Sequence, residues 1–174
     1  MHKKIQLDID YHLFLSNPAV EISSPLEIMK VDRKDDYDKF GGMPETFCFE
    51  NTRMYQRFWS NKECSYQELG DKLNIDVISV STIMQPPGNM IPLHRDTFYK
   101  IKTQYPGDKR TIVRCNIYLE DWKTGHLLQY NDTIDTHWKK GDGHMWDSNV
   151  LHIGANVGME NKFTLQVSGF LKST

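Results

Sequence analysis

The sequence of 174 residues contains only three cysteines, Cys48, Cys64 and Cys115, and no Cys-x-x-Cys pair. An odd number of widely spaced cysteines indicates neither a disulfide framework nor a zinc ribbon, so we expect reduced thiols. The chain also lacks any apolar run near the roughly 18 residues that a membrane-spanning helix needs. No apolar signal segment follows Met1. We therefore expect a cytoplasmic protein with no membrane partner.

An excess of positive charge is also absent. Lysine and arginine total 21 against 23 acidic residues, which gives a formal net charge of −2. Proteins that coat the nucleic-acid backbone depend on clustered basic residues, so we expect no nucleic-acid partner. Hydrophobic residues reach only 39%, but the aromatic share of 11% is more than disordered chains carry. These values predict a folded chain whose core has polar residues built into it.

No internal repeat, low-complexity tract or linker divides the chain, which predicts a single domain over residues 1–174. From residue 75 onward, short β-branched segments alternate with turn signals. We expect a β-sheet core over about residues 75–170. Residues 1–74 are expected to form a supporting segment that includes a few helices.

Within this supporting segment, three local patterns predict structure. Alternating residues at 5–9 indicate a strand, and the charged stretch 32–39 indicates a solvated helix or loop. An apolar stripe over 65–73 predicts a helix that Asn74 would end. None of the three patterns carries a recognisable functional motif.

Two later segments alternate strictly between apolar and polar residues. In residues 111–119 the polar positions include Arg114 and Asn116, and in residues 162–170 they begin with Lys162. About eight short strands with turns, one of them predicted at residues 133–138, suggest a β-sandwich or barrel. The polar faces can meet water, as in an isolated sheet, or line a barrel interior that holds an anion. The alternation alone leaves both interpretations open.

A candidate metal site begins at His94-Arg95-Asp96. An imidazole and a carboxylate two residues apart lie on one side of an extended segment, here just after the turn at Pro87-Gly88. A second histidine, His152, lies 58 residues later on another predicted strand. Two histidines and one carboxylate make the facial triad of non-haem Fe(II) oxygenases, which leaves metal positions open.

On these residues, the sequence from about 75 to 170 resembles the 2-oxoglutarate/Fe(II)-dependent dioxygenases, and among them the aspartyl/asparaginyl β-hydroxylase-like clade. Arg114-x-Asn116 stands where that family usually has Arg-x-His, and Lys162 supplies a cation ten residues after the distal histidine. The other matching positions are Pro87-Gly88, Pro92-x-His94, Trp138-x-x-Gly141, Asp147, His152 and Asn156.

Two positions depart from the clade's pattern. Asp96 keeps a carboxylate that some of its members lack, which makes the chain more like the general oxygenase family. Lys162 replaces the more usual arginine, so the charge is kept while bidentate geometry is lost.

The resemblance implies a mainly β fold, the double-stranded β-helix or jelly roll shared with cupins. The implied Fe(II) ligands are His94, Asp96 and His152. Arg114 and Asn116 would bind the oxoglutarate carboxylate next to the metal, and Lys162 would pair with the distal carboxylate. The implied reaction consumes 2-oxoglutarate and O2, releases succinate and CO2, and hydroxylates an amino acid or peptidyl side chain. The first candidate position is the β-carbon of Asp or Asn.

Other interpretations remain open at this point. A cupin-type metal enzyme that does not use oxoglutarate would explain the triad but not Arg114 and Lys162. A non-catalytic β-sandwich binding module would make the histidines fortuitous. The segment 95–114 carries six cations, among them the lysines Lys100, Lys102 and Lys109. It forms either a solvated loop or a cap that attracts an acidic or carboxylate-bearing substrate to the mouth.

Overall fold

The computed structural model of the protein describes residues 1–17 and 21–172, which form two antiparallel sheets with short helices around them. The strands are β1 (His2–Gln6), β2 (Glu21–Ser23), β3 (Met54–Trp59), β4 (Ile75–Gln85), β5 (Asn89–His94), β6 (Ile112–Tyr118), β7 (His126–Tyr130), β8 (Thr133–Asp135), β9 (Asp142–Trp146), β10 (His152–Asn156) and β11 (Lys162–Leu171). The helices are α1 (His12–Ser16), α2 (Leu26–Asp32), α3 (Lys34–Asp38), α4 (Phe49–Thr52), α5 (Tyr66–Leu73) and α6 (Tyr99–Gln104).

The larger sheet has the strand order β1-β9-β6-β11-β4-β3-β2, and the smaller one has the order β5-β10-β7-β8. Three strands of the predicted supporting segment, β1 to β3, occupy the two edges of the larger sheet. The predicted mainly β architecture with a few N-terminal helices is therefore confirmed.

The apolar faces of β6 and β11 build the main core. Val113, Cys115 and Ile117 of β6 are fully buried, as are Leu165 and Val167 of β11. Cys115 lies opposite Val167, and Ile117 lies opposite Leu165, so the two apolar rows are in register. Burying one such aliphatic side chain stabilises the fold by about 1.5–3 kcal/mol. Residues from α1, β3 and α5 pack into the same cluster, namely Phe14, Trp59, Leu69 and Leu73.

Because helices α1 and α5 cover the apolar side of the larger sheet, its polar side is left facing the smaller sheet. The polar residues of β6 and β11 line a cavity there, namely Arg114, Asn116, Lys162, Thr164, Gln166 and Ser168. Of the two interpretations left open by the alternation, the polar faces of β6 and β11 therefore line the interior and do not simply meet water.

Helix α5 forms where the apolar stripe predicts it. Ser65 caps its N-terminus by accepting a hydrogen bond from the backbone N–H of Glu68 at 3.1 Å. Asn74 ends the helix in the left-handed region, with φ of 58°. The charged stretch 32–39 contains helix α3, in which only Tyr37 is buried, as expected for a solvated helix.

Two strand predictions differ from the structure in their bounds. The strand predicted at residues 5–9 is β1 at His2–Gln6, because Asp10 accepts a hydrogen bond from the His12 backbone N–H and turns the chain into α1. A strand predicted at residues 133–138 stops at Asp135, because His137 has φ of 59° and leaves the extended conformation. In both cases a local turn overrides the alternating pattern.

None of the helices in the described ranges is both long and apolar enough to cross a membrane. The three cysteines are free. Burial raises the pKa of the Cys115 thiol to about 12, which leaves it unreactive at neutral pH.

Candidate metal centre

The smaller sheet brings the two predicted histidine ligands together. His94 ends β5 and His152 begins β10, and these residues are direct partners in the antiparallel pairing of the two strands. Their ring centroids lie 4.1 Å apart with an interplanar angle of 51°. Residues 58 positions apart in the sequence therefore meet at one sheet end.

Asp96 follows β5 by two residues and completes the group. Its Oδ1 lies 4.0 Å from Nε2 of His94, and its Oδ2 lies 3.8 Å from Nε2 of His152. All three candidate ligand atoms fall within 4.8 Å of one another. A single ion about 2.1 Å from each ligand can bridge atoms at such separations after small side-chain rotations.

The backbone fixes the orientation of both imidazoles. Nδ1 of His94 donates to the Pro92 carbonyl at 2.7 Å, and Nδ1 of His152 donates to the Val150 carbonyl at 3.1 Å. Because a carbonyl only accepts, each Nδ1 carries the hydrogen and each Nε2 keeps a free lone pair toward the site. Burial lowers the pKa of both histidines, so the rings are neutral near pH 7 and suited to binding a metal ion.

Asp96 is held in its ionised form. Burial alone would raise the pKa of this carboxyl, but Arg114 and the two neighbouring histidines lower it to about 2. Its Oδ1 accepts from Nη1 of Arg114, and its Oδ2 accepts from the Trp146 indole N–H, each at 2.8 Å. Two neutral imidazoles and one oriented carboxylate are a donor set that fits a divalent first-row metal such as Fe(II).

All six residues predicted for the site line one cavity of about 470 Å³ between the two sheets, namely His94, Asp96, Arg114, Asn116, His152 and Lys162. The candidate metal ligands come from β5, β10 and the segment after β5. The other three come from β6 and β11 of the larger sheet. The candidate metal end and the cationic wall of the cavity thus belong to different sheets.

Lys162 is a buried cation that has no counterion in the described part of the chain. Its side-chain ammonium donates to the carbonyls of Leu127 and Ala155 at 3.1 and 3.0 Å. Among the described residues, no carboxylate lies within 4 Å of it. Burial lowers the pKa of Lys162 to about 7. A desolvated ammonium that faces a cavity is stabilised by any anion that enters it.

Arg114 and Asn116 lie on β6 and line the same cavity. Arg114 pairs with Asp96, and its Nε donates to Ser168 Oγ at 3.2 Å. The buried Asn116 amide nitrogen lies 3.5 Å from the Tyr130 hydroxyl. Its Oδ1 has no hydrogen-bond partner within the described part of the chain. The role of both residues as oxoglutarate ligands stays a prediction.

Sequence patterns missed three contributors to the site. Trp146 reads as a core residue and is buried, but its indole orients Asp96. Phe98 lines the cavity in the left-handed region at φ of 52°, with the Arg114 guanidinium 5.5 Å from its ring centroid. Arg33, between α2 and α3, also lines the cavity, although no motif surrounds it in the sequence.

The three loop lysines differ in their position relative to the cavity. Lys100 belongs to its lining, whereas Lys102 and Lys109 are not among the lining residues. Lys100 lies on α6 with its ammonium 6.0 Å from the Phe58 ring centroid. The attraction of a carboxylate-bearing substrate by this loop stays a prediction.

Comparison with known proteins shows the fold. No family model matches the sequence, and no curated protein matches it either. Among solved structures, the non-haem α-ketoglutarate-dependent carbocyclase SnoK from nogalamycin biosynthesis is similar at a TM-score of 0.58 and 11% identity, covering 97% of this chain and 79% of that one.

A second similar structure is the viral collagen prolyl hydroxylase vCPH from Paramecium bursaria Chlorella virus-1, solved as a 2OG complex. Its TM-score is 0.51 at 15% identity, with 91% of this chain and 98% of that one covered. Together the two similarities confirm the predicted double-stranded β-helix.

Proposed function

We propose that the protein is an Fe(II)- and 2-oxoglutarate-dependent oxygenase that hydroxylates an amino acid or a peptidyl side chain. The proposal rests on the buried ammonium of Lys162, which has no counterion among the described residues. It lies in the same cavity as the triad His94, Asp96 and His152. In support, the two similar structures are a protein described as α-ketoglutarate-dependent and one solved with 2OG.

Each residue has a defined task in this proposal. His94, Asp96 and His152 would hold the metal, and Lys162 would neutralise the distal carboxylate of the dianion. Iron(II), when bound, would let O2 oxidise two partners at once: oxidative decarboxylation of 2-oxoglutarate to succinate and CO2 would take up one oxygen atom, and the other would enter a substrate C–H bond. The hydrogen bonds from Arg114 and Trp146 would keep Asp96 ionised and oriented.

Lys162 also distinguishes this proposal from a cupin-type metal enzyme that does not use oxoglutarate. Such an enzyme would need the triad alone. It would gain nothing from a desolvated ammonium across the cavity, which destabilises the protein unless an anion binds. An α-keto diacid satisfies both ends of the cavity at once, since it chelates a metal and still presents a distal carboxylate.

The finer parts of the proposal rest on sequence. The β-carbon of Asp or Asn is the first substrate position to test, following the resemblance to the aspartyl/asparaginyl β-hydroxylase-like clade. A cytoplasmic location is proposed as well, since three free cysteines suit a reducing compartment.

The test is oxoglutarate turnover by the Fe(II)-loaded protein under O2, with succinate measured by NMR in the presence of amino acids and short peptides. We expect succinate from the wild type and none above background from His94→Ala. Lys162→Met should raise the oxoglutarate dissociation constant about 100-fold. The matched control Lys102→Met changes an exposed lysine outside the cavity lining and should behave as wild type.

Equilibrium dialysis separates the competing functions. Iron binding lost in Asp96→Ala and His152→Ala, together with unconverted oxoglutarate, would favour the cupin-type enzyme. Absence of any metal binding by the wild type would contradict the proposal and leave the β-sandwich binding module.

A further inference from the structure

The guanidinium of Arg33 is a second cation in the same cavity that has no carboxylate partner among the described residues. This half-buried residue lies between α2 and α3, and its Nε donates to the Arg95 carbonyl at 2.7 Å. That hydrogen bond holds the Nε end of the guanidinium in place. Its two terminal nitrogens have no hydrogen-bond acceptor and no carboxylate within 4 Å among the described residues.

Most other described arginines are paired, which makes this arrangement informative. Carboxylates pair with Arg57, Arg95, Arg110 and Arg114. Arg53 has no such partner either, but it does not line the cavity. Arg33 therefore combines two properties, an open guanidinium face and a position in the cavity wall.

The proposed ligands do not use this cation. Arg114 already pairs with Asp96, and Lys162 is assigned to the distal carboxylate of oxoglutarate. Asp32 and Lys100 also line the cavity, but both are exposed, so water screens their charges. Once the metal and oxoglutarate are bound, Arg33 is still available as a half-buried cation for a second anion.

The cavity wall is more apolar than polar, which describes the rest of that second ligand. The apolar residues contributed by α2, β3 and the α6 region include Ile28, Met29, Met54, Phe58, Phe98 and Ile101. Ile28 and Phe58 are 61% and 53% exposed. Binding sites that combine an apolar wall with one fixed polar group orient ligands with an apolar body and one matching charge.

We propose that Arg33 binds the carboxylate of a small organic acid with an apolar body, and that this acid is the molecule the enzyme hydroxylates. The inference rests on the proposed function and narrows it. It favours a free acid over a residue inside a peptide, because in a peptide the α-carboxylate is replaced by a neutral amide. A planar guanidinium with two free nitrogens matches a carboxylate in bidentate fashion.

The test compares two probes that differ only in that group, N-acetyl-L-leucine and N-acetyl-L-leucinamide. Protein loaded with Mn(II) is titrated under argon by calorimetry, first with oxoglutarate and then with each probe. We expect the acid to bind at least about tenfold more tightly than the amide. Arg33→Gln should remove this difference and leave the oxoglutarate dissociation constant unchanged. Arg33→Lys should retain part of it, since the charge remains.

Arg57→Gln is the matched control, because this arginine lies outside the cavity lining and should keep the wild-type preference. Equal binding of acid and amide, or binding of neither, would overturn the inference. So would an oxoglutarate affinity that falls with Arg33→Gln, which would assign Arg33 to the co-substrate. Failure of the wild type to bind oxoglutarate would instead count against the proposed function, and the first titration alone reveals it.

Discussion

Asp96 and Lys162 are both buried, and burial disfavours the charged form of each, but among the described residues only Asp96 has a partner of opposite charge. Asp96 has the guanidinium of Arg114 and an indole N–H, which offset the cost of desolvation and hold its pKa at about 2. Among the described residues, Lys162 contacts two backbone carbonyls and no carboxylate, and burial lowers its pKa to about 7. At the residue scale, an anion that enters the cavity would therefore be stabilised at Nζ of Lys162.

This imbalance predicts how stability depends on pH. The pKa of Lys162 is about 7 in the folded protein and 10.5 as the ordinary value, so the unfolded chain binds more protons between these values. The free energy of unfolding should then rise from about pH 7 toward pH 10.5, by an amount on the order of 4 kcal/mol. Lys162→Met should remove that rise and be more stable at pH 7. Urea denaturation of the metal-free protein at pH 7, 8 and 9 measures the slope, with Lys102→Met as control. An unchanged slope in Lys162→Met would contradict the prediction.

The indole bond to Asp96 predicts a defect in metal affinity. Trp146→Phe keeps the aromatic ring but removes the N–H that orients Oδ2 of Asp96. Losing such a supporting contact typically costs about 10- to 100-fold in metal affinity. Mn(II) binding followed by electron paramagnetic resonance measures the effect. Trp138→Phe is the matched control, because Trp138 stacks on Tyr118 and does not contact Asp96. Equal losses in the two variants would mean that packing, rather than the hydrogen bond, supports the site.

At the scale of the element, strand β11 carries Lys162 and lies beside β6, which carries Arg114, so the two strands form the cationic wall of the cavity. It pairs with β4 on one side and β6 on the other, and a register shift occurs between Ser168 and Gly169. At this bulge the β4 backbone approaches so closely that a Cβ on Gly169 would clash with the Asp76 carbonyl oxygen. The close approach explains why glycine occupies this position in the strand.

Gly169→Ala should therefore destabilise the protein by about 1–3 kcal/mol, since the backbone of β4 has to shift. Urea denaturation monitored by circular dichroism gives the difference. Gly107→Ala provides the control, because no atom lies within 4 Å of the added Cβ there. Equal stability of Gly169→Ala and wild type would show that the bulge has room for a side chain.

At the scale of the whole molecule, the cavity joins two sheets that carry different parts of the site. The smaller sheet supplies His94 and His152, and the larger sheet supplies Arg114 and Lys162. A metal ion alone would bind at the end of the smaller sheet. A dianion that reaches from the metal to Lys162 would link both sheets.

Ligand binding should therefore stabilise the protein in two steps. Mn(II) at about 100 times its dissociation constant should add about 2.7 kcal/mol, and oxoglutarate under argon should add a further increment. Thermal unfolding measures both steps. His94→Ala should lose both increments, whereas Lys162→Met should keep the first and lose most of the second. Retention of the second increment in Lys162→Met would place the distal carboxylate elsewhere.

Much of the site was predictable because its signals are local. The strict alternation placed Arg114 and Asn116 on the polar face of β6 and Lys162 on the polar face of β11. The spacing of His94 and Asp96 puts both side chains on one side of the chain without any tertiary contact. Arg33 was not predictable, since it reaches the cavity from a helix pair that carries no motif. The contact between Trp146 and Asp96 spans 50 residues, and only the assembled sheets bring the two together.

By itself, the sequence determined which residues share a strand face, where helix α5 begins and ends, and which side chains have metal-binding chemistry. These properties follow from backbone periodicity and capping, which act over a few residues. Only the tertiary structure decided that the polar face is the interior, because α1 and α5 cover the apolar face of the larger sheet. It also decided that His152 pairs with His94 and that Arg33 enters the cavity, since such long-range contacts depend on how the whole chain packs.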